Sequence, residues 1–216
     1  VHPPLKVHLA SASSRRASWL AAHFEANFSE ESVAFSAAPL MTEEEPADSG
    51  ISVKAQVEQT LVAKVEAAKM EFSVAAMAGR EIPDLILVAD TLVEDPDDSQ
   101  LSLGQPGDRA GAAVMLVRLS GRRHLVWSGV ALLRFDETEW LANSFVEFAT
   151  VEIDELTAVE LAALLDSKSW EGKAGAYDIA GQMGAHARVI AGDEVCVIGL
   201  AEAAMQSLDE TIGGKD

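Results

Sequence analysis

Apolar and polar positions along the chain follow two periods in turn. Short apolar runs bounded by turn residues predict strands at Leu5 to Leu9, Ser32 to Ala37 and Asp84 to Asp90. Stretches with an apolar residue every three or four positions predict helices at about Arg15 to Phe24, Ser52 to Ala78, closed by Gly79, and Asp108 to Leu119. The segment Glu94 to Gly107, rich in Asp, Pro, Ser and Gly, reads as a loop. His124 to Arg134 and Trp140 to Ile153 read as long strands joined through the polar turn Asp136 to Glu139. Thr157-Ala158-Val159-Glu160 is a capping box that starts another helix. A glycine-rich stretch, Trp170 to Gly184, precedes a strand pair and a last helix. Strands alternating with helices predict an α/β fold, and no linker divides residues 1–216, so one domain is expected.

Two arginines disturb this pattern. With Ser13 or Ser14 as N-cap, Arg15 and Arg16 fall in the first turn of their helix, where the helix dipole disfavours cations by about 0.3–1 kcal/mol each. A bound anion would reverse that sign. Strand, small-residue loop and helix N-terminus form a phosphate site, with backbone amides as donors and arginine as a bidentate clamp. The rest of the chain is acidic: 16 basic against 35 acidic side chains give a net charge of −19, which opposes attraction to nucleic acids or anionic membranes. An anionic substrate must then meet a local basic pocket. No apolar run approaches a membrane span and Val1 to Pro4 carries no signal-peptide pattern, so a soluble cytoplasmic protein is the expectation. The single cysteine, Cys196, lies in an apolar segment and reads as a core residue.

Other residues can carry chemistry. Asp90 ends an apolar strand, a place for metal binding or water activation, or for capping the next turn. Lys64 lies on the edge of the apolar stripe of the long helix, where it must snorkel, pair with a carboxylate or reach into a cleft. Glu43, Glu44 and Glu45 form either a solvated charge run or a source of one oxygen ligand for a hard divalent cation. In Trp170 to Gly181 the glycines allow close backbone approach and Lys173 adds a charge, or the segment is a structural loop.

In order along the chain, these segments resemble the Maf family of nucleoside triphosphate pyrophosphatases. The family pattern L-A-S-x-S-P-R-R is similar to Leu9 to Arg16, with Ser14 for proline. An acidic motif aligns with Glu43 to Pro46 and picks out Glu44, a lysine late on the next helix aligns with Lys64, and G-A-D-T-x-V aligns with Val88 to Val93. The pattern M-L-x-x-L-S-G-x-x-H-x-V is followed by Met115 to Val126, and K-A-G-A-Y-x-I-Q-G by Lys173 to Gly181 with one change. The resemblance implies a mixed sheet flanked by helices in two lobes, similar to inosine triphosphatases, with the nucleotide in the cleft between them. It also implies hydrolysis of a nucleoside triphosphate between the α- and β-phosphates, with Mg²⁺ or Mn²⁺ as cofactor, and homodimers in the family. The roles implied are Asp90 as water activator or metal ligand, Glu44 as second metal ligand, and Arg15, Arg16, Lys64, Ser11 and Ser13 on the phosphates. Thr91 and the Lys173 to Gly181 loop face the nucleoside. Arg15 together with Thr91 is similar to the dTTP/UTP branch.

Two positions depart from the family. Gln105 stands where G-K-P or E-K-P is usual, which removes a cation from the triphosphate; Lys173, Arg118 and Arg122 are the cations that could compensate. Ala180 replaces the glutamine of I-Q-G, which belongs to the family's base-recognition set, and puts pyrimidine selectivity in question. Both motivate an alternative reading: a weakened, nucleotide-binding regulatory protein on the same scaffold.

Overall fold

The computed structural model describes residues 3–29, 31–42, 47–48 and 50–214. Among these, seven strands form one mixed sheet: β1 (Leu5–Ala10), β2 (Val33–Ala38), β3 (Leu85–Asp95), β4 (Asp98–Leu103), β5 (Arg123–Phe135), β6 (Trp140–Ile153) and β7 (Ala187–Ala191), in the order β2-β1-β3-β5-β6-β7 with β4 on β3. The α-helices of the described residues flank it: α1 (Ser14–Asn27), α2 (Val53–Met77), α3 (Arg109–Leu119), α4 (Ala158–Asp166), α5 (Glu194–Ile198) and α6 (Glu202–Gly213). No helix among the described residues is long and apolar enough to cross a membrane.

Local chemistry explains most of the helix starts. The side chains of Ser13, Ser52 and Asp108 each accept a first-turn amide, and Thr157 and Glu160 form the reciprocal capping box. Three expectations are corrected. The segment Glu94 to Gly107 is not all loop: β3 runs five residues past Asp90 and turns into β4, pairing Val93 with Leu103. Asp90 therefore lies within a strand and not at its end. The expected final strand pair is β7 alone, because Val195 to Ile198 is helical between the Asp193 side chain, which accepts the Val195 amide, and left-handed Gly199.

The register creates a notch. β1 runs parallel to β3 and pairs Val7–Leu9 with Leu85–Leu87, whereas β4 pairs with β3 from Val93 onward. Both lie on the edge opposite β5, which pairs with β3 continuously from Ile86 to Val93. Between Leu87 and Val93 that edge has no strand beside it among the described residues. Alternation sends Ile86, Val88 and Asp90 to the face covered by α2, and Leu87, Ala89, Thr91 and Val93 to the other. On that second face lie two apolar clusters, one around α1 and α6 with Ala89 and Val130, the other around α3 and α4 with Val93 and Val126. Thr91 and Ser128, paired across β3 and β5, sit between them.

Candidate functional site

A cavity of about 240 Å³ opens at the notch. Its lining brings together Ser11, Ser13, Arg15, Arg16, Lys64, Asp90 and Thr91 from the expected set, with Gln105, Gly172 and Ala174. A second cavity, shared through Ser11, Ala12 and Lys64, continues between α2 and the Pro39 to Thr42 segment.

Two cations converge on β3 from opposite faces. From α2, Lys64 Nζ donates to Asp90 Oδ1 at 2.9 Å and to the Ala89 carbonyl at 3.0 Å. Of the three fates open to an edge lysine, this one pairs with a carboxylate within a cleft. From α1, the Arg16 guanidinium donates to the Thr91 hydroxyl at 2.7 Å, to Ser11 Oγ at 3.1 Å and to Ala89 O at 3.4 Å. Its Nε donates to the Gly199 carbonyl at 2.7 Å. The notch thus leaves the Ala89 carbonyl to side chains instead of a neighbouring strand, and fixes the backbone next to Asp90.

The two arginines have different surroundings. Arg16 is only 9% exposed, and the carbonyl at the end of α5 offsets the unfavourable dipole of α1, so a bound anion is not needed to account for it. Arg15 is different. Its Nη1 lies 3.6 Å from Asp178 Oδ1, and its buried Nε has no hydrogen-bond partner among the described residues. A buried guanidinium donor without an acceptor, at the wall of a cavity, suits an anionic ligand. Ser11 adds a donor: its oxygen already accepts from the Ser13 amide and Arg16, which leaves its proton for a third partner.

Other expected residues lie elsewhere. Lys173 sits between Gly172 and Ala174, which border the cavity, without bordering it itself. Ala180 is exposed, and its amide donates to Asp178 Oδ1 at 3.2 Å. Glu44, with Glu43 and Glu45, lies outside the described residues. Arg118 and Arg122 do not replace the cation absent at Gln105. Arg118 is bidentate on buried Asp95, holding that carboxyl below its usual range, and Arg122 pairs with Asp97 at 2.7 Å. Replacing Gln105 by lysine is expected to raise kcat/KM for a nucleoside triphosphate about tenfold, about 1.4 kcal/mol for one partly solvated cation on a phosphate. Steady-state kinetics of the Gln105→Lys protein check this, and an unchanged value would mean that the existing cations suffice.

The glycine-rich wall is anchored from behind. Gly175, at φ +68°, donates its amide to Gly104 O at 3.1 Å, and a Cβ there would lie 2.9 Å from Val93 Cγ2. Only glycine allows this loop so close to β3. Next to it, Tyr177 Oη and His124 Nε2 are 2.8 Å apart in the core, and burial pushes the His124 pKa down to about 4. The fold therefore favours neutral His124, whereas the unfolded chain takes a proton near pH 6.5. The stabilisation this provides is complete above pH 6.5 and is lost as pH falls towards 4, about 3 kcal/mol in all. Denaturant midpoints between pH 7 and 4 should fall more steeply for the wild type than for His124→Gln; parallel curves would deny His124 this role.

Ser128, Gly199 and Asp178 carried no expectation of their own. Ser128 had a signal, since a serine inside an apolar strand must find a buried partner; its hydroxyl donates to Cys196 O at 2.8 Å. Cys196 itself is buried in the core, as expected, with its thiol pushed up to about 12 by burial.

Comparison with known proteins gives a consistent picture. A family model described as Maf-like protein matches residues 6–210. A Bordetella parapertussis protein named dTTP/UTP pyrophosphatase is 35% identical over 198 residues, 91% of this chain and 87% of its own length. A protein of that name from Bacillus anthracis is 35% identical over 153 residues, 68% of this chain and 76% of its own. One from Ruegeria sp. is 38% identical over 130 residues, 60% of this chain and 64% of its own.

Proposed function

The chain belongs to the Maf-like family, and we propose that it is a nucleoside triphosphate pyrophosphatase that cleaves the α–β phosphate bond of dTTP, UTP or modified pyrimidine nucleotides. The observation that carries this reading is the convergence of Lys64, Asp90 and Arg15 on one cavity at the β3 notch. The relatives named dTTP/UTP pyrophosphatase support the substrate class.

In this reading Arg15, Lys64, Ser11 and the first-turn amides of α1 hold the polyphosphate, while Arg16 fixes the floor beneath it. Asp90, oriented by Lys64, takes a proton from a water whose oxygen attacks the α-phosphorus. The bond from that phosphorus to the bridging oxygen breaks, and pyrophosphate leaves with the bonding electron pair. Thr91 and the 173–181 loop face the nucleoside.

The donor set suits a divalent cation shared with the substrate. No three His, Cys, Asp or Glu side chains among the described residues are placed to hold a metal ion, so a full protein cage is not offered there. Mg²⁺ or Mn²⁺ commonly takes one or two carboxylates plus phosphate oxygens. Asp90, and Glu44 beyond the described residues, would hold such an ion, which would supply charge neutralisation on the phosphates.

A panel of ribo- and deoxynucleoside triphosphates with Mg²⁺ or Mn²⁺, assayed for phosphate with and without inorganic pyrophosphatase, tests the reading. Phosphate that appears only with pyrophosphatase supports α–β cleavage. Neutral Gln105 in the lining favours the alternative, a regulatory nucleotide-binding protein. Binding without turnover across the panel would select it.

A further inference from the structure

We infer that Ser128 is a positioning residue that makes Thr91 an acceptor-only reader of the nucleoside, an inference that rests on the function proposed above. Ser128 is fully buried, at 0% exposure, with its Oγ 2.8 Å from the Cys196 carbonyl oxygen and 2.9 Å from Thr91 Oγ1. Two oxygens 2.8 Å apart need a proton between them, and a carbonyl has none to give. The Ser128 proton therefore points at Cys196. The proton between Ser128 and Thr91 must then come from Thr91.

The other side of Thr91 is constrained as well. Arg16 Nη2 donates to Thr91 Oγ1 at 2.7 Å, and a guanidinium only donates. The hydroxyl has thus committed its proton to Ser128 and one lone pair to Arg16. One lone pair remains on Thr91, which borders the cavity. Towards a ligand, this hydroxyl can accept a hydrogen bond and cannot donate one.

That polarity has a consequence for base choice. Uracil and thymine carry an N–H at ring position 3, which an acceptor satisfies, whereas cytosine presents a bare nitrogen there, which an acceptor repels. Leaving such a contact unpaired in a buried site discriminates strongly. Ser128 never touches the substrate in this scheme. Removing its hydroxyl frees the Thr91 proton to turn towards the cavity and serve either base.

The test measures kcat/KM for UTP and CTP, together with calorimetric binding of their non-hydrolysable α,β-imido analogues, in wild type, Ser128→Ala and Thr91→Val. The wild type should prefer UTP, Ser128→Ala should narrow the UTP-to-CTP ratio about tenfold, mainly by improving CTP, and Thr91→Val should remove the preference. Ser128→Thr, which keeps the hydroxyl, should retain it. If the alanine variant does not fold, Ser128→Cys, a much weaker acceptor, should narrow the ratio instead. An equal loss on both nucleotides in Ser128→Ala would make Ser128 merely structural and overturn the inference, as would a wild type that binds and cleaves both nucleotides alike. A wild type that neither binds nor cleaves either nucleotide would overturn the proposed function itself.

Discussion

Asp90→Asn is expected to lower kcat at least about 10³-fold while nucleotide affinity stays within a few-fold of wild type. General base catalysis contributes about 10²–10⁴-fold, and an amide of the same shape cannot take the proton. The fold should survive the change. Lys64 keeps the Ala89 carbonyl as an acceptor, and the amide oxygen of the substituted side chain can replace Oδ1. Removing a negative charge beside a polyanion offsets part of the loss of orientation. Turnover of UTP or dTTP together with calorimetry on an α,β-imido analogue checks both halves. Near-normal kcat would take Asp90 out of the mechanism, and lost binding with a lowered melting temperature would make it a structural partner of Lys64.

Gly199→Ala is expected to damage the fold and the site together. Gly199 sits at φ +107°, a conformation L residues rarely adopt, and a Cβ there would lie 2.8 Å from Arg16 Nε and 2.9 Å from Thr91 Oγ1. Backbone strain of this kind costs about 1–3 kcal/mol, and displacing a buried guanidinium from its carbonyl forfeits a charge-assisted hydrogen bond of about 1.5–3 kcal/mol. A destabilisation of about 3 kcal/mol should lower Tm by roughly 6–12 °C in a domain of this size. Because Arg16 supports the Ala89 carbonyl beside Asp90, kcat/KM should fall about 10²-fold even well below the new Tm. Scanning calorimetry and kinetics at low temperature separate the two effects. Full activity in a destabilised variant would show that the Arg16 network holds the fold without serving the site.

Much of the molecule follows from local chemistry. The strands Leu5–Ala10 and Trp140–Ile153 lie within a residue of where apolar runs put them, and the capping box at Thr157 starts α4. Periods of two and 3.6 residues, caps and turn residues act over a few positions, so a linear reading captures them. Where local signals conflict, tertiary context decides. The apolar segment Val195 to Ile198, rich in β-branched residues, has the composition of a strand, yet caps at both ends hold it in one short helical turn that buries Val195, Cys196 and Val197. The turn-rich segment after Asp95 gains a strand only because β3 offers it an edge to pair with.

The site divides along the same line. Sequence alone determined the α/β class, the acidic character of the chain, and the charged residues at unusual positions: an acid at Asp90 in an apolar run, a lysine at the edge of a helix stripe, and two arginines opening another helix. It could not distinguish the two arginines, because Arg15 and Arg16 are neighbours whose partners lie far along the chain. Arg16 reaches Gly199, 183 residues away, whereas Arg15 faces a cavity. Nor could it show that the parallel strand β1 ends where the antiparallel strand β4 has not yet begun, which leaves the Ala89 carbonyl to Lys64 and Arg16. Residue identity sets what a side chain can donate or accept, but which groups meet, and so which proton points where, is fixed only when distant strands and helices pack.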